Sequence, residues 1–378
     1  MNILIFLIIL LVLVLVHEFG HFFTAKKFGI RVDEFGFGFP PKIAGIKKGE
    51  TEYSLNALPF GGFVKIFGEN GEDSVKVEPS QNTHREGSTF TDVDASRSFV
   101  NRPKWQQAIV LFAGVFMNFI LAWILFSVGF MSGLPTSVGN EAKGQVLENV
   151  NLTVVSVLET SPAFMAGLKS GDKIVSVQSG QDSLSKIDPE TLKSFIVAHP
   201  DKEIEVGYER GNNIQVAKVT PIQNTEQDKP MIGISMDMIG TAKLPFLTAF
   251  KEGMTLTLFV TKGTAVGLYT LISEAVRGQG SLDSVTGIVG MVGMTGDAYE
   301  FGFVYLLSFT ALISVNLAII NLVPIPALDG GRLLFLLIEK IKGSRLNSKF
   351  TNTANAVGFG ALIILMLVIT YHDVVKLF

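Results

Sequence analysis

In His17-Glu18-Phe19-Gly20-His21, two histidines bracket a glutamate. Side chains four positions apart on a helix lie on one face, one turn above the other, so both imidazoles reach a single ion. Glu18 is then placed to act as general base toward water at that ion, and Zn²⁺ is the usual metal for such a pair. The bland alternative is a helix whose histidines are merely satisfied by neighbours. The setting argues against it. The stretch Met1–Val16 carries no charged side chain, and ionisable groups at membrane depth are functional by default.

Two imidazoles leave a hydrolytic zinc site short of its third protein ligand. The chain has no cysteine, so imidazole or carboxylate must complete the set. Asp329 is the candidate, directly after Asn321-Leu322-Val323-Pro324-Ile325-Pro326-Ala327-Leu328 at the end of an apolar run. The two prolines break the helix and free backbone groups, which at this depth must line a cavity or be packed in protein. Gly330 and Gly331 permit close backbone approach. A second reading makes Asp329 the cap of the next helix. Asn321 either hydrogen-bonds a substrate carbonyl or developing oxyanion, or joins two helices, as do Asn316 and Asn118. His372 lies at the far end of the last apolar run, too distant to ligate.

The elements that must position these groups are membrane helices. The 378 residues are 48% hydrophobic and 17% charged, the balance of a polytopic membrane protein rather than a soluble enzyme. A net charge of −3 gives no reason to expect nucleic acid as a partner. Four segments have the ~20 apolar residues that a crossing needs: 2–23, 105–131, 301–328 within a longer segment 301–336, and 353–372. The first lacks the basic start and small-residue cleavage site of a signal peptide, so we expect it to be retained. In 241–300, Lys251, Glu252 and Lys262 divide the apolar stretch, and the expectation is an amphipathic helix in the interface. Lys26, Lys27, Arg31, Arg97, Arg102 and Lys104, then Lys340, Lys342, Arg345 and Lys349, place 24–104 and 332–352 in the cytoplasm, with both termini outside.

Within 24–104, Gly36–Pro41 reads as a turn cluster, and Thr51–Leu58 and Gly62–Phe67 as two short strands around Pro59-Phe60-Gly61. Their apolar side chains suggest a sheet dipping into the membrane at 33–68, whose open edge must be covered or line a cavity. Such an edge also templates an added strand. Residues 69–96, with a solvated His84, read as a linker. Between the second and third spans, 145–222 has the pattern of a small soluble α+β module. It runs strand, Ser161-Pro162 helix start, Gly171-Asp172 turn, strand, a helix near Asp188–Ala198 with a structural His199 at its end, and two further strands.

The HExxH of the first span, Gly36-Phe37-Gly38 and Asn321…Pro324-x-Pro326-x-Leu328-Asp329-Gly330 together resemble the site-2 protease family of intramembrane zinc metalloproteases, on its regulator-of-sigma-E protease branch. The resemblance implies four membrane helices, a membrane re-entrant β-hairpin or sheet, one Zn²⁺ per chain on His17, His21 and Asp329, and a catalytic Glu18. It implies substrate binding by Asn321, Pro324, Pro326 and by Gly61, Gly62, Phe63 and Val64 of the re-entrant sheet. Its implied substrates are single-span membrane proteins in a bacterial inner membrane, trimmed first by a site-1 protease. The insert, with Ser161-Pro162-Ala163 and Ala166-Gly167-Leu168, resembles a PDZ domain. There is room for one such module between Glu141 and Asp237, where well-known members carry two in tandem, and Val115 stands where many relatives have proline after the glycine. The other readings are an inactive PDZ-bearing membrane chaperone, or a metal transporter, which would be expected to show internal repeats.

Overall fold

The computed structural model describes residues 1–69, 95–139, 146–158, 160–211, 213–224, 229–278 and 285–375. His84 and nearly all of the expected linker lie outside the described residues. The chain divides into two compact units: 1–124 with 255–296 and 310–378, and 125–254 with 297–309.

The first unit is built on α1 (Asn2–Lys27), whose unbroken apolar run ends with Lys26 and Lys27 in its last turn, where cations complement the helix dipole. The chain leaves α1 through Gly29 at φ 68° and enters β1 (Val32–Lys48) and β2 (Thr51–Ile66). The expected turn cluster and pair of short strands are instead two long strands. β1 runs through Gly36–Pro41, and β2 runs through Pro59–Gly61. The register explains this. Glu34–Phe37 pair with Glu52–Leu55 on one flank and with Lys65 back to Gly62 on the other, while Lys42–Lys48 pair with Asn56 back to Thr51. Each strand therefore bends on itself at glycines, with Gly38 at φ 78° and Gly61 at φ 130°. Ala25, Ile30, Val32, Ile66, Phe99, Val110 and Leu111 form a buried cluster that fastens this sheet to α1 and to α2 (Lys104–Ser132).

Four further long helices come later in the chain: α5 (Phe246–Val276), α6 (Ile288–Phe301), α7 (Phe303–Leu322) and α9 (Ser348–Val375). The expected third span stops at Leu322, six residues short of its apolar limit, and α8 (Asp329–Lys342) begins a new helix after the proline break. Among the described residues, five helices rather than four are long and apolar enough to cross a membrane, the fifth being α5. Its four charges, Lys251, Glu252, Lys262 and Glu274, do not interrupt backbone hydrogen bonding, and long side chains can snorkel. Thr264, in its middle, donates to Asn316 Oδ1 at 3.0 Å, so Asn316 does join helices.

The second unit carries a sheet in the order β3 (Leu134–Ser137), β11 (Ile234–Ala242), β4 (Glu148–Val157), β5 (Lys173–Ser179), β7 (Ile204–Arg210) and β8 (Asn213–Val219), with β6 (Asp182–Ser183) beside β5. A short hairpin, β9 (Ile222–Asn224) with β10 (Lys229–Met231), lies apart. The module thus extends beyond 145–222, because β11 supplies the strand between β3 and β4. Helix α3 (Pro162–Met165) starts at Ser161, whose Oγ accepts from Phe164 N, and α4 (Pro189–Ala198) at Asp188, which exchanges two hydrogen bonds with Thr191. Leu152, Val154, Leu168, Leu192, Ile204 and Val206 fill the core. His199 is structural, bonded through its ring nitrogens to Phe195 O and Asp182.

Candidate metal centre

Helix α1 presents His17 and His21 on the face it buries, together with Leu13, Gly20 and Ala25. Opposite them stands Asp329, the first residue of α8. Its Oδ2 lies 3.0 Å from His17 Nε2 and 3.3 Å from His21 Nε2, and the two Nε2 atoms are 3.1 Å apart. The capping alternative therefore fails. Leu328 holds the N-cap position, no side chain caps the helix, and the Asp329 carboxylate faces the imidazoles.

Three backbone features make the convergence possible. Gly20 crosses Ala113 of α2 so closely that a Cβ there would sit 2.3 Å from Ala113 O. Gly114 leaves room for the rings, since its Cβ would lie 2.3 Å from His21 Nε2 and 2.8 Å from His17 Nε2. Gly330 and Gly331 let α8 start against Leu322–Pro326, where a Cβ would meet carbonyl oxygens at 2.2–2.3 Å. The outer nitrogens are held too. His21 Nδ1 bonds Val110 O at 2.8 Å, and His17 Nδ1 lies 3.3 Å from Asn118 Nδ2. The Val110 carbonyl, accepting from Nδ1–H, fixes the tautomer of His21 that leaves its Nε2 free to ligate. Asn118 was expected to join helices through its side chain; Ser314 instead donates to its main-chain carbonyl, and the side-chain amide lies against a site histidine.

A cavity of about 300 Å³ opens beside these groups, lined by His17, Glu18, His21, Asp329, Asn321, Phe63 and Val64 among others. Gly62 backs onto α1, its built Cβ coming within 4.0 Å of Glu18 Cγ, and Gly61 is 3.5 Å from Val14 by the same measure. Pro324 and Pro326 stand outside the lining. Pro326 instead packs between Gly331 and Gly358 and shapes the loop. Sequence reasoning missed Glu69 and Arg332, an ion pair that also walls the cavity. The signal for Arg332 was its place one helical turn beyond Asp329.

Comparison with known proteins decides the family. The family model for peptidase family M50 matches residues 5–365. The chain belongs to peptidase family M50, the site-2 proteases. The regulator of sigma-W protease RasP of Bacillus subtilis (strain 168) is 34% identical over an alignment covering 99% of this chain and 98% of that protein. The zinc metalloprotease RasP of Geobacillus kaustophilus is 30% identical, covering 99% and 97%. The PDZ domain of an SdrC-like protein from Listeria monocytogenes matches 23% of this chain and 86% of that one at 20% identity and a TM-score of 0.20, too slight a likeness to bear on the fold. This M50 peptidase is accordingly a metalloendopeptidase that uses zinc, and a multi-pass bacterial membrane protein. The donor set suits that metal. His17, His21 and Asp329 offer one ligand atom each, all within 4.8 Å of one another, and two imidazoles with a carboxylate make a familiar catalytic zinc set that leaves a position open.

Proposed function

We propose that His17, His21 and Asp329 hold one zinc ion, and that Glu18 is the general base in hydrolysis of peptide bonds inside the membrane segments of single-span proteins. The observation that carries this reading is the meeting of three ligand atoms from two distant parts of the chain in the cavity that Glu18 lines. When bound, zinc supplies Lewis-acid activation of water and of the scissile carbonyl. Glu18 accepts the proton that water gives up and passes it to the leaving amide nitrogen. Asn321, on the cavity wall, donates its amide to the substrate backbone.

A membrane helix hides its peptide bonds, so the substrate must unwind before attack. Among the described residues, Gly62–Lys65 pair with β1 on one side only. Their free side, at Phe63 and Val64 in the cavity wall, takes the unwound segment as an added strand. Main-chain bonds then give affinity with little sequence preference. The Bacillus relative is named for regulation of sigma-W. For this chain the reading points to membrane-anchored regulators such as anti-sigma factors, or to signal-peptide remnants, trimmed beforehand by another protease. With α1, α2, α7 and α9 crossing and α5 in the interface, basic flanks favour a topology with 24–104 and 332–352 in the cytoplasm, both termini and the insert outside, and the site near the cytoplasmic face. The order of strands, short helix and second helix in the insert supports a PDZ domain.

Co-expression with single-span candidates tests the reading. Wild type should yield a product cut within the span by mass, and Glu18→Gln should yield none while still retaining zinc. Equal cleavage by Glu18→Gln, or a cut outside the span, overturns it.

A further inference from the structure

The loop that delivers Asp329 is held from outside by one side chain, and that hold points to a role for the last helix. Between α7 and α8 the backbone N–H groups can be accounted for one by one. Val323 N bonds Ile320 O at 3.1 Å, Ile325 N bonds Val323 O at 2.7 Å and Leu328 N bonds Ile325 O at 3.1 Å. Pro324 and Pro326 have none to offer. Only Ala327 N–H looks outside the segment, donating to Asn355 Oδ1 of α9 at 3.1 Å.

Ala327 is also the strained point. Its φ of 81° is a left-handed conformation that a Cβ disfavours. Such a residue keeps its shape only where its surroundings over-determine it. Among the described residues, the other non-glycine residues at positive φ are Asn149, Thr160 and Asp201, none in the unit that carries the site. One turn along α9 from Asn355, on the same face, Gly358 meets the loop so closely that a Cβ would lie 2.3 Å from Pro326 O. The last helix therefore docks on the loop with a close-contact glycine and a single acceptor. Two residues after Ala327 comes Asp329.

We propose that Asn355 is a positioning residue, holding Ala327 in its left-handed conformation so that α8 starts with the Asp329 carboxylate directed at His17 and His21. This rests on the reading of Asp329 as a zinc ligand. Asn355 touches neither the ligands nor the reacting atoms. It acts through the backbone.

The test is zinc retention by the purified, zinc-loaded full chain in detergent, titrated with a competing chelator, with released zinc read by a chromogenic indicator. Asn355→Ala should release zinc at a chelator concentration lower by about tenfold or more, the usual effect of losing a supporting group. Asn355→Asp keeps the acceptor and should stay near wild type. Ala327→Gly alone should be neutral. Added to Asn355→Ala, it should recover part of the loss, because glycine adopts the positive φ unaided. A general loss of stability would show no such recovery. Wild-type retention in Asn355→Ala, failure of Asn355→Asp to preserve it, or no recovery in the double variant overturns the proposal. If Asn355→Ala does not accumulate, Asn355→Gln, which displaces the acceptor by one methylene, takes its place in the same comparison. Asp329→Ala, run alongside, separates the two ideas: undiminished zinc there sinks the ligand assignment itself, whatever Asn355 does.

Discussion

At the scale of single residues, the site depends as much on what is missing as on what ligates. Gly114 has no side chain, and the space it leaves is occupied by the Nε2 edges of His17 and His21. An alanine methyl there has nowhere to go, because Val110 O and Asn118 hold the far sides of the rings. Gly114→Ala should therefore strip zinc, lowering affinity by at least the ~10–100-fold seen when ligand orientation is lost, while the helices stay packed. Zinc content by elemental analysis, paired with a thermal melt, checks this; full occupancy in the variant would show that the rings have slack. His17, Glu18, His21 and Asp329 were legible in the sequence because spacing and a proline break are one-dimensional signals. Glu69 was not, since it reaches the cavity only through the bend of β2, and the sign of a φ angle at Ala327 leaves no mark in composition.

At the scale of elements, the β1–β2 sheet must sit still if its edge is to hold a substrate strand, as proposed. Its β1–β2 turn is tied down by Glu50, which takes two bonds from the Arg97 guanidinium at 2.7 Å and one from Lys26 at the end of α1 at 2.5 Å. The Arg97 hydrogen bonds, then those of Lys26, hold the Glu50 carboxyl at about 2 against an ordinary 4.5. A depressed carboxylate stabilises the folded state fully above its unfolded value, and that contribution is lost as pH falls through the folded one. Glu50→Gln should thus melt below wild type at neutral pH, with the gap narrowing from about pH 4.5 downward and closing near pH 2. A gap that persists unchanged at the acid end would mean that the tie is not ionic. The strands themselves were only half legible. Alternation and glycine were visible, but glycines that bend a strand look the same in sequence as glycines that end one.

At the scale of the whole molecule, each unit was legible in kind and less so in extent. The insert's two helices start where Ser161-Pro162 and the stretch near Asp188 were expected to start them, yet β11 joined its sheet from beyond the expected boundary. A fifth helix long and apolar enough to cross, α5, was not expected, because scattered charges were read as breaks in a helix that runs through them. The functional consequence is one of selectivity. Under the proposed function, main-chain pairing to Gly62–Lys65 discriminates poorly between sequences, and two other sources of choice follow from it: how readily the span unwinds, and whether the substrate's outer part is small enough to be admitted past the insert. The first predicts that placing a glycine or proline near the cut site speeds cleavage, since it lowers the cost of leaving the helix. The second predicts a sharper result. Given two substrates with identical spans, one intact and one with its outer domain removed, the purified full chain should cut the trimmed form and leave the intact form whole. Equal rates for the pair would remove the insert as a filter and leave it the role of a peptide-binding module, because a strand-pairing edge alone has no means to sense what lies outside the membrane.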